Sequence, residues 1–555
     1  MTSQGSNRGS VDETEVRSEA ARGGGGDRLH VSRRSLLRGG LGVTAATLAG
    51  AHLRPARAAG GGRIMAPRSL RQAQQSFEGE TLRIFSMDGP LISGALNVHK
   101  DRFTEEFGAE VEVITAPFDQ LFTRAQQVAV SGGGDFDVLL LANSWVADFV
   151  SLGYVVPLDP FIERDVADPL LAYDDIPDGI KLKDSFGGQT PAWIVDNDNH
   201  TMFYRKDVLG DARWQEEYRT ATGKDLPNPP QTLTEFVEVA KFFTGKEWGD
   251  AGLDKYGFIT CVRRGAQAYW YAYGWTAPYT VVPKDKAPAQ GIYLFKPDME
   301  PLVNTAGFVR GLTEFVDTIK NAMRPGLDTQ RQDVITDMIN GSTLMSIDWG
   351  DTGPASIGPD SVVNGKLGFA LSPGVNEYYD WQTDTWVTVE GEPHRTPAHA
   401  YNGWSYYITS QATNPDLAWA WIKFHSSPEI SAIDVANAGS GYQPWRISHS
   451  TNLEPWVEAG WSEEDAQPYI QTILDATDHP NAVFDVRVPG AARYQETLEL
   501  HVNRAINEEA NPQQAMDDCA NEWNAITDEL GRDAQVQAYG AHLGLMQQAA
   551  GTPTA

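Results

Sequence analysis

The chain has 555 residues, of which 21% are charged, and a formal net charge of −30. So acidic a surface repels nucleic acid and anionic membrane, which removes both as partners. No Cys/His cluster has metal-ligand spacing, and the two cysteines, Cys261 and Cys519, are either one disulfide or two buried thiols.

The first elements concern export. Ser32-Arg33-Arg34-Ser35-Leu36-Leu37-Arg38 precedes a weakly apolar run from Gly39 to Ala51, followed by Ala56-Arg57-Ala58. A twin arginine, a short apolar segment and a small-x-small site read as a twin-arginine export signal over residues 1–58, with a disordered, Gly-rich leader from Met1 to His30. No cysteine follows for a lipid anchor, and no later stretch reaches the roughly 18 apolar residues of a membrane span. A soluble periplasmic protein is expected. Its mature part, on the order of 500 residues, is too long for one hydrophobic core, so two lobes are expected.

Thr81 to Phe85 reads as a strand, a helix ends near Phe107-Gly108, and Glu110 to Thr115 alternates as a second strand. Phe118 to Val130 reads as a helix closed by Ser131-Gly132-Gly133-Gly134, and Phe136 to Leu141 as a buried strand ending at Ala142-Asn143-Ser144-Trp145. Strand, helix, strand in this order favours a parallel sheet with crossover helices, whose ligands sit beyond the carboxyl ends of the strands. Further on come a Pro229-Pro230 helix start at Thr232 to Phe236, an apolar strand from Leu344 to Ile347, and a strand-like Tyr406-Tyr407-Ile408. Asn414-Pro415-Asp416 then starts a helix rich in Trp and Ala.

These segments resemble, in order, those of extracellular solute-binding proteins of bacterial ABC importers, the family 1 proteins that include maltose-binding protein. The similarity lies in Asp135 to Pro160, Trp193 to Leu209, Pro229 to Phe236 (with Leu233 where Trp is usual), Val334 to Gly353, Gly365 to Gly374 (with Ser372 before the proline), Tyr401 to Glu429, Ser440 to Arg446 and Asn511 to Ile526. The resemblance implies an α/β, two-lobed periplasmic-binding-protein fold (type II) with discontinuous lobes joined by a hinge. Lobe one is then 80–197 plus 404–455 and lobe two 203–400 plus 456–535, with crossings near Asn199, Asn402 and residue 455. It further implies a monomer without cofactor or catalysis that carries a carbohydrate or polyol to ABC permease subunits in the membrane. Val375 to His399, with four aromatic residues, is an enlarged loop relative to the family, either a lid or a surface hairpin, the hairpin being favoured.

A sugar or polyol needs an aromatic plate for its C–H face and planar polar groups for its hydroxyls. The chain supplies 16 Trp and 19 Tyr. Trp349 stands where the family places a stacking Trp, Asp198 where it often has a cleft carboxylate, and Asn402 and Trp404 at a lobe crossing. Asp88, Asn143 and Trp145 lie at strand ends, Trp270 and Tyr271 belong to an aromatic triplet with Tyr269, and Arg446 and Tyr494 complete the candidates. Each of these also has a plain structural reading, as core or as a solvated turn. A polyamine or other small cation is the alternative ligand, and an exported glycoside hydrolase the alternative class. The latter lacks a distinct pair of acids, and the chain holds no G-x-S-x-G, H-E-x-x-H or P-loop.

Overall fold

The computed structural model describes residues 76–249, 252–399 and 402–549; the export signal and leader of residues 1–58 lie outside them. The first strands are β1 (Thr81–Met87), β2 (Glu110–Ala116), β3 (Val138–Ala142) and β4 (Trp193–Asp196), followed by β5 (His200–Arg205), β6 (Tyr256–Phe258), β7 (Thr343–Trp349) and β8 (Leu367–Leu371). Then come β9 (Glu377–Asp380), β10 (Thr385–Thr388), β11 (Ala398–His399), β12 (Trp404–Ile408) and β13 (Val483–Phe484).

Two sheets dominate. One has the order β2-β1-β3-β12-β4, with β1 parallel to β2 and β3, and β12 antiparallel to β3 and β4. The other has the order β6-β7-β5-β8, with β6 parallel to β7 and β5 antiparallel to both its neighbours. The chain leaves the first sheet after β4, builds the second from the consecutive strands β5 to β8, and returns to the first as β12, so the first sheet draws on two separated stretches of sequence. Helices cover both sheets, and the central strands β3 and β7 are buried throughout, as sheets covered on both faces require.

The local signals act as their chemistry dictates. The helix Ser93–Phe107 stops at Gly108 with φ 84°, and Phe118–Ser131 stops at Gly132 with φ 64°, left-handed conformations that a Cβ disfavours. Thr232 and Glu235 form a capping box at the helix Leu233–Phe243, and Asn414 Oδ1 accepts from the amides of Asp416 and Leu417 to start Pro415–His425.

Cys261 and Cys519 are both buried and free. β9 and β10 form a hairpin, Tyr379 facing Trp386 across it, and it packs on the helices Ala268–Thr280 and Ala306–Ala322. None of its residues is in the lining of the cavity described below. A last helix, Arg532–Ala549, goes beyond the expected end of the second lobe. It packs on the short helix Asp178–Asp184, and Tyr539 donates to the carbonyl of Phe295 (3.0 Å). No helix among the described residues is long and apolar enough to cross a membrane.

Candidate functional site

A cavity of about 390 Å³ opens where strands of both sheets end, the position at which open α/β sheets expose unpaired backbone and loop side chains to ligands. From the first sheet, β1 delivers Asp88, the residues after β2 deliver Phe118, and β12 begins with Trp404. From the second, β7 ends in Trp349, with Asp351 just beyond. Asp198 comes from the three-residue passage between β4 and β5, and the N-terminal residues of two helices bring Gln267 and Arg331.

Trp349 is held on several sides. Its ring meets His200, its register partner on β5, edge to face at 4.4 Å, and Tyr271 at 5.0 Å, while the Arg331 guanidinium lies 5.5 Å from its centre. Arg331 binds Asp348 (3.1 Å) and Asp351 (2.8 Å); Asp348 also accepts from the hydroxyls of Tyr271 (2.8 Å) and Thr352 (2.6 Å). Burial opposes the Arg331 charge, but the two carboxylates outweigh it and raise its pKa. Burial pushes His200 down to about 3, so the imidazole beside Trp349 is neutral.

At the β4–β5 passage, Gln443 donates its backbone N–H to Asp196 (2.7 Å) and its side-chain amide to Asp198 (2.9 Å), and accepts from the amide of Asn199 (3.2 Å). Burial, reinforced by the charge of Asp351, holds the carboxyls of Asp196 and Asp198 well above the usual range; the charge of Asp196 adds to the effect on Asp198. Gly350 makes room for this arrangement: a Cβ there would lie 2.5 Å from the Gln443 side chain. Gly403, with φ 94°, does the same at the return passage, where a Cβ would strike the carbonyl of Asp196 at 2.0 Å.

Four of the residues singled out in the sequence, Trp349, Trp404, Asp198 and Asp88, line this cavity. The other seven are not in its lining, and each has protein partners instead. Asn143 bonds Ser405 and Arg487 (3.0 and 3.3 Å), and Trp145 donates to Gln495 (2.9 Å). Trp270 donates to Asp485 (2.6 Å), and Tyr271 stands behind Trp349 on Asp348. Asn402 exchanges two hydrogen bonds with the backbone of Asp485, and Arg446 is spent on the carbonyls of Ser426, Leu171 and Ala172. Tyr494 pairs with Thr527 and packs on Phe295. Strand-end position and aromatic density do not say which way a side chain turns. Arg331, Gln267 and Phe118 line the cavity without having been singled out; a lone arginine at a helix start carries no mark of its function. Among the described residues no group of three His, Cys, Asp or Glu is placed to hold a metal ion.

Comparison with known proteins places the fold in a family. The sequence model of the bacterial extracellular solute-binding protein family matches residues 100–462. The chain belongs to this family. This solute-binding protein is similar in fold to solved structures at low sequence identity. An ABC transporter solute-binding protein from Agrobacterium radiobacter K84, in complex with ribitol, has a TM-score of 0.63 at 21% identity over 81% of this chain and 100% of that one. One from Agrobacterium vitis S4, with bound D-mannitol, has a TM-score of 0.62 at 17% identity over 82% and 99%. Maltose-bound MalE3 of T. maritima has a TM-score of 0.60 at 19% identity over 81% and 100%. The solute-binding protein therefore has the two-lobed, mixed α/β architecture of these structures.

Proposed function

We propose that the chain is the substrate-binding component of an ABC importer and captures a sugar or polyol outside the cytoplasm for delivery to membrane permease subunits. One observation carries this: the cavity between the strand ends of both sheets has two indole rings, Trp349 and Trp404, in its wall, with carboxyl, amide and guanidinium groups of Asp198, Gln267 and Arg331 beside them. A C–H face rests on an indole, and planar polar groups take hydroxyls in pairs. The ribitol, mannitol and maltose in the related structures support the same ligand class.

In this reading the two sheets mark two lobes, 80–197 plus 404–455 and 203–400 plus 456–535. Closure about the β4–β5 and β11–β12 passages removes water from the hydroxyl contacts, and the ligand favours the closed state by contacting both lobes at once. The twin-arginine segment directs the chain to the periplasm, where it acts as a monomer, without cofactor and without chemistry on its ligand. Calorimetric titration of refolded, ligand-free protein against pentitols, hexitols, mono- and disaccharides tests the reading. Saturable heat from a member of that panel is the expected result; a flat response to all of them, with an unmoved melting temperature, would overturn it.

A further inference from the structure

The polar groups of the cavity wall are not equally open to a guest. Arg331 is paired with Asp348 and Asp351, and Asp198 accepts from Gln443. The remaining oxygens of Asp198 and Asp351 are closed off by the protein around them. Asp88, Asp119, Arg263 and Gln332 are exposed at the rim, and Gln330 is half-buried. Gln267 differs. It lines the cavity and is 8% exposed, yet neither its Oε1 nor its Nε2 has a hydrogen-bond partner among the described residues, and neither is sealed in by protein. Buried amides are nearly always hydrogen-bonded, so one left free in a cavity wall marks a place for a guest, or for the water that a guest displaces.

The backbone is bent to bring that amide there. Gln267 has φ 82° and ψ 14°, the left-handed region that side chains other than Asn and Asp seldom occupy. Glycine would take this conformation freely; a glutamine in it keeps a long amide at this point at the cost of strain. Residues that do not line the cavity hold the turn. Glu499, on the helix Ala491–Ile506, accepts from the amides of Gly265 (3.0 Å) and Gln267 (3.2 Å). The Cys261 thiol donates to the carbonyl of Ala266, and the carbonyl of Thr329 accepts from the amides of Val262 (3.0 Å) and Arg263 (2.9 Å), which ties the turn to the segment carrying Arg331. Glu499 alone among these takes the N–H of Gln267.

We propose that Gln267 is the residue that discriminates among hydroxylated guests, and that Glu499 is a positioning residue that sets its aim from outside the cavity. A planar amide donates and accepts along fixed directions, so it pairs with one arrangement of neighbouring hydroxyls and leaves an epimer's unpaired. The proposal rests on the sugar or polyol reading above and adds the residue that reads the hydroxyl pattern.

The test is titration calorimetry of the full exported chain with sets of epimers: ribitol, xylitol and arabinitol; mannitol, glucitol and galactitol; glucose, mannose and galactose; and maltose beside cellobiose. Gln267→Gly removes the amide and relieves the backbone. Its melting temperature should hold or rise, while the preferred guest binds about tenfold or more weakly and loses its lead over its epimers. Glu499→Ala should weaken the same guest by a similar factor, whereas Glu499→Gln, which keeps an acceptor for both amides, should not. Once residue 267 is glycine, Glu499→Ala should cost little further affinity. If Glu499→Ala does not fold, Glu499→Asp, whose carboxylate is drawn back by one methylene, takes its place. Epimer preferences that stay as they were in Gln267→Gly would overturn the discriminating role. Affinity untouched by Glu499→Ala, a loss as large in Glu499→Gln, or an equal loss with and without Gln267 would overturn the positioning role. These outcomes leave the sugar reading standing; silence of the unmodified chain toward every set would overturn that reading and the proposal with it.

Discussion

Arg331 lies with its guanidinium carbon 5.5 Å from the centre of the Trp349 ring while both its hydrogen-bonding arms reach carboxylates. The same cation thus orients the indole and holds Asp348 and Asp351 in a buried wall. The cavity's aromatic surface and its acidic edge are one unit, and its members should fail together.

Trp349 is 3% exposed and packs on His200 and Tyr271, so truncation removes core as well as site. Trp349→Ala should weaken ligand binding by at least about tenfold and lower stability by roughly 3–5 kcal/mol. Trp349→Phe separates the two effects by keeping a ring in the core while narrowing the plate. It should retain most of the stability, yet still bind more weakly by calorimetry. Unchanged affinity in Trp349→Phe and Trp349→Ala alike would take the residue out of the site.

Arg331→Met strands two buried carboxylates. Loss of one partner from a buried ion pair costs about 3–5 kcal/mol, and urea denaturation should show a drop of that size. Adding Asp351→Asn to Arg331→Met should recover part of it, since the asparagine no longer needs a cation. Strict additivity of the two changes would mean that the pair does not interact energetically.

Asp148 offers a pH signature away from the cavity. Burial pushes its carboxyl up to about 6, although the Gly490 amide, at 2.8 Å, opposes the shift. Below the ordinary 3.8 both folded and unfolded chains hold the proton. Between there and about 6 the folded chain keeps a proton that the unfolded chain has released, so this group's contribution to stability falls as pH rises through that window. Asp148→Asn abolishes the loss. Its stability relative to the unmodified chain should therefore rise from pH 4 to pH 7 by up to about 3 kcal/mol. A difference that stays constant with pH would show that Asp148 titrates normally in the fold.

Thr232 caps the helix Leu233–Phe243, its hydroxyl accepting from the Glu235 amide (3.2 Å) while Glu235 accepts from the Thr232 amide (3.2 Å). Thr232→Ala should cost about 1 kcal/mol and leave ligand affinity unchanged, because this helix does not line the cavity. Thermal unfolding and calorimetry on one preparation decide both halves.

Local order was the legible part of this protein. Gly108 and Gly132 marked helix ends, Asn414 and Thr232 marked helix starts, and the apolar runs around Leu139 and Met345 became β3 and β7, because each signal acts within a few residues of itself. The helix Arg532–Ala549 was not legible: Tyr539, His542 and Leu543 are a sparse apolar stripe among Gln, Ala and Gly, and their burial comes from the surface they dock on. Among the residues that line the cavity, Trp349 was singled out because it follows an apolar strand at the place where the family has a stacking Trp, whereas Trp145, also at a strand end, turns to Gln495. Arg446 and Tyr494 carried the same chemical promise, but carbonyls of Ser426 and Leu171 and the hydroxyl of Thr527 claimed their polar atoms.

By itself, then, the amino-acid order settled the succession of strands and helices, the family pattern running through it and the acidic character of the whole, since these depend on neighbours in sequence and on composition. Tertiary structure alone decided which of many equivalent Trp, Tyr, Asn and Asp side chains face the cavity. That outcome depends on partners often more than a hundred residues away, as when Gln443 reaches Asp196 and Asp198, and a buried polar group goes wherever its hydrogen bonds are met.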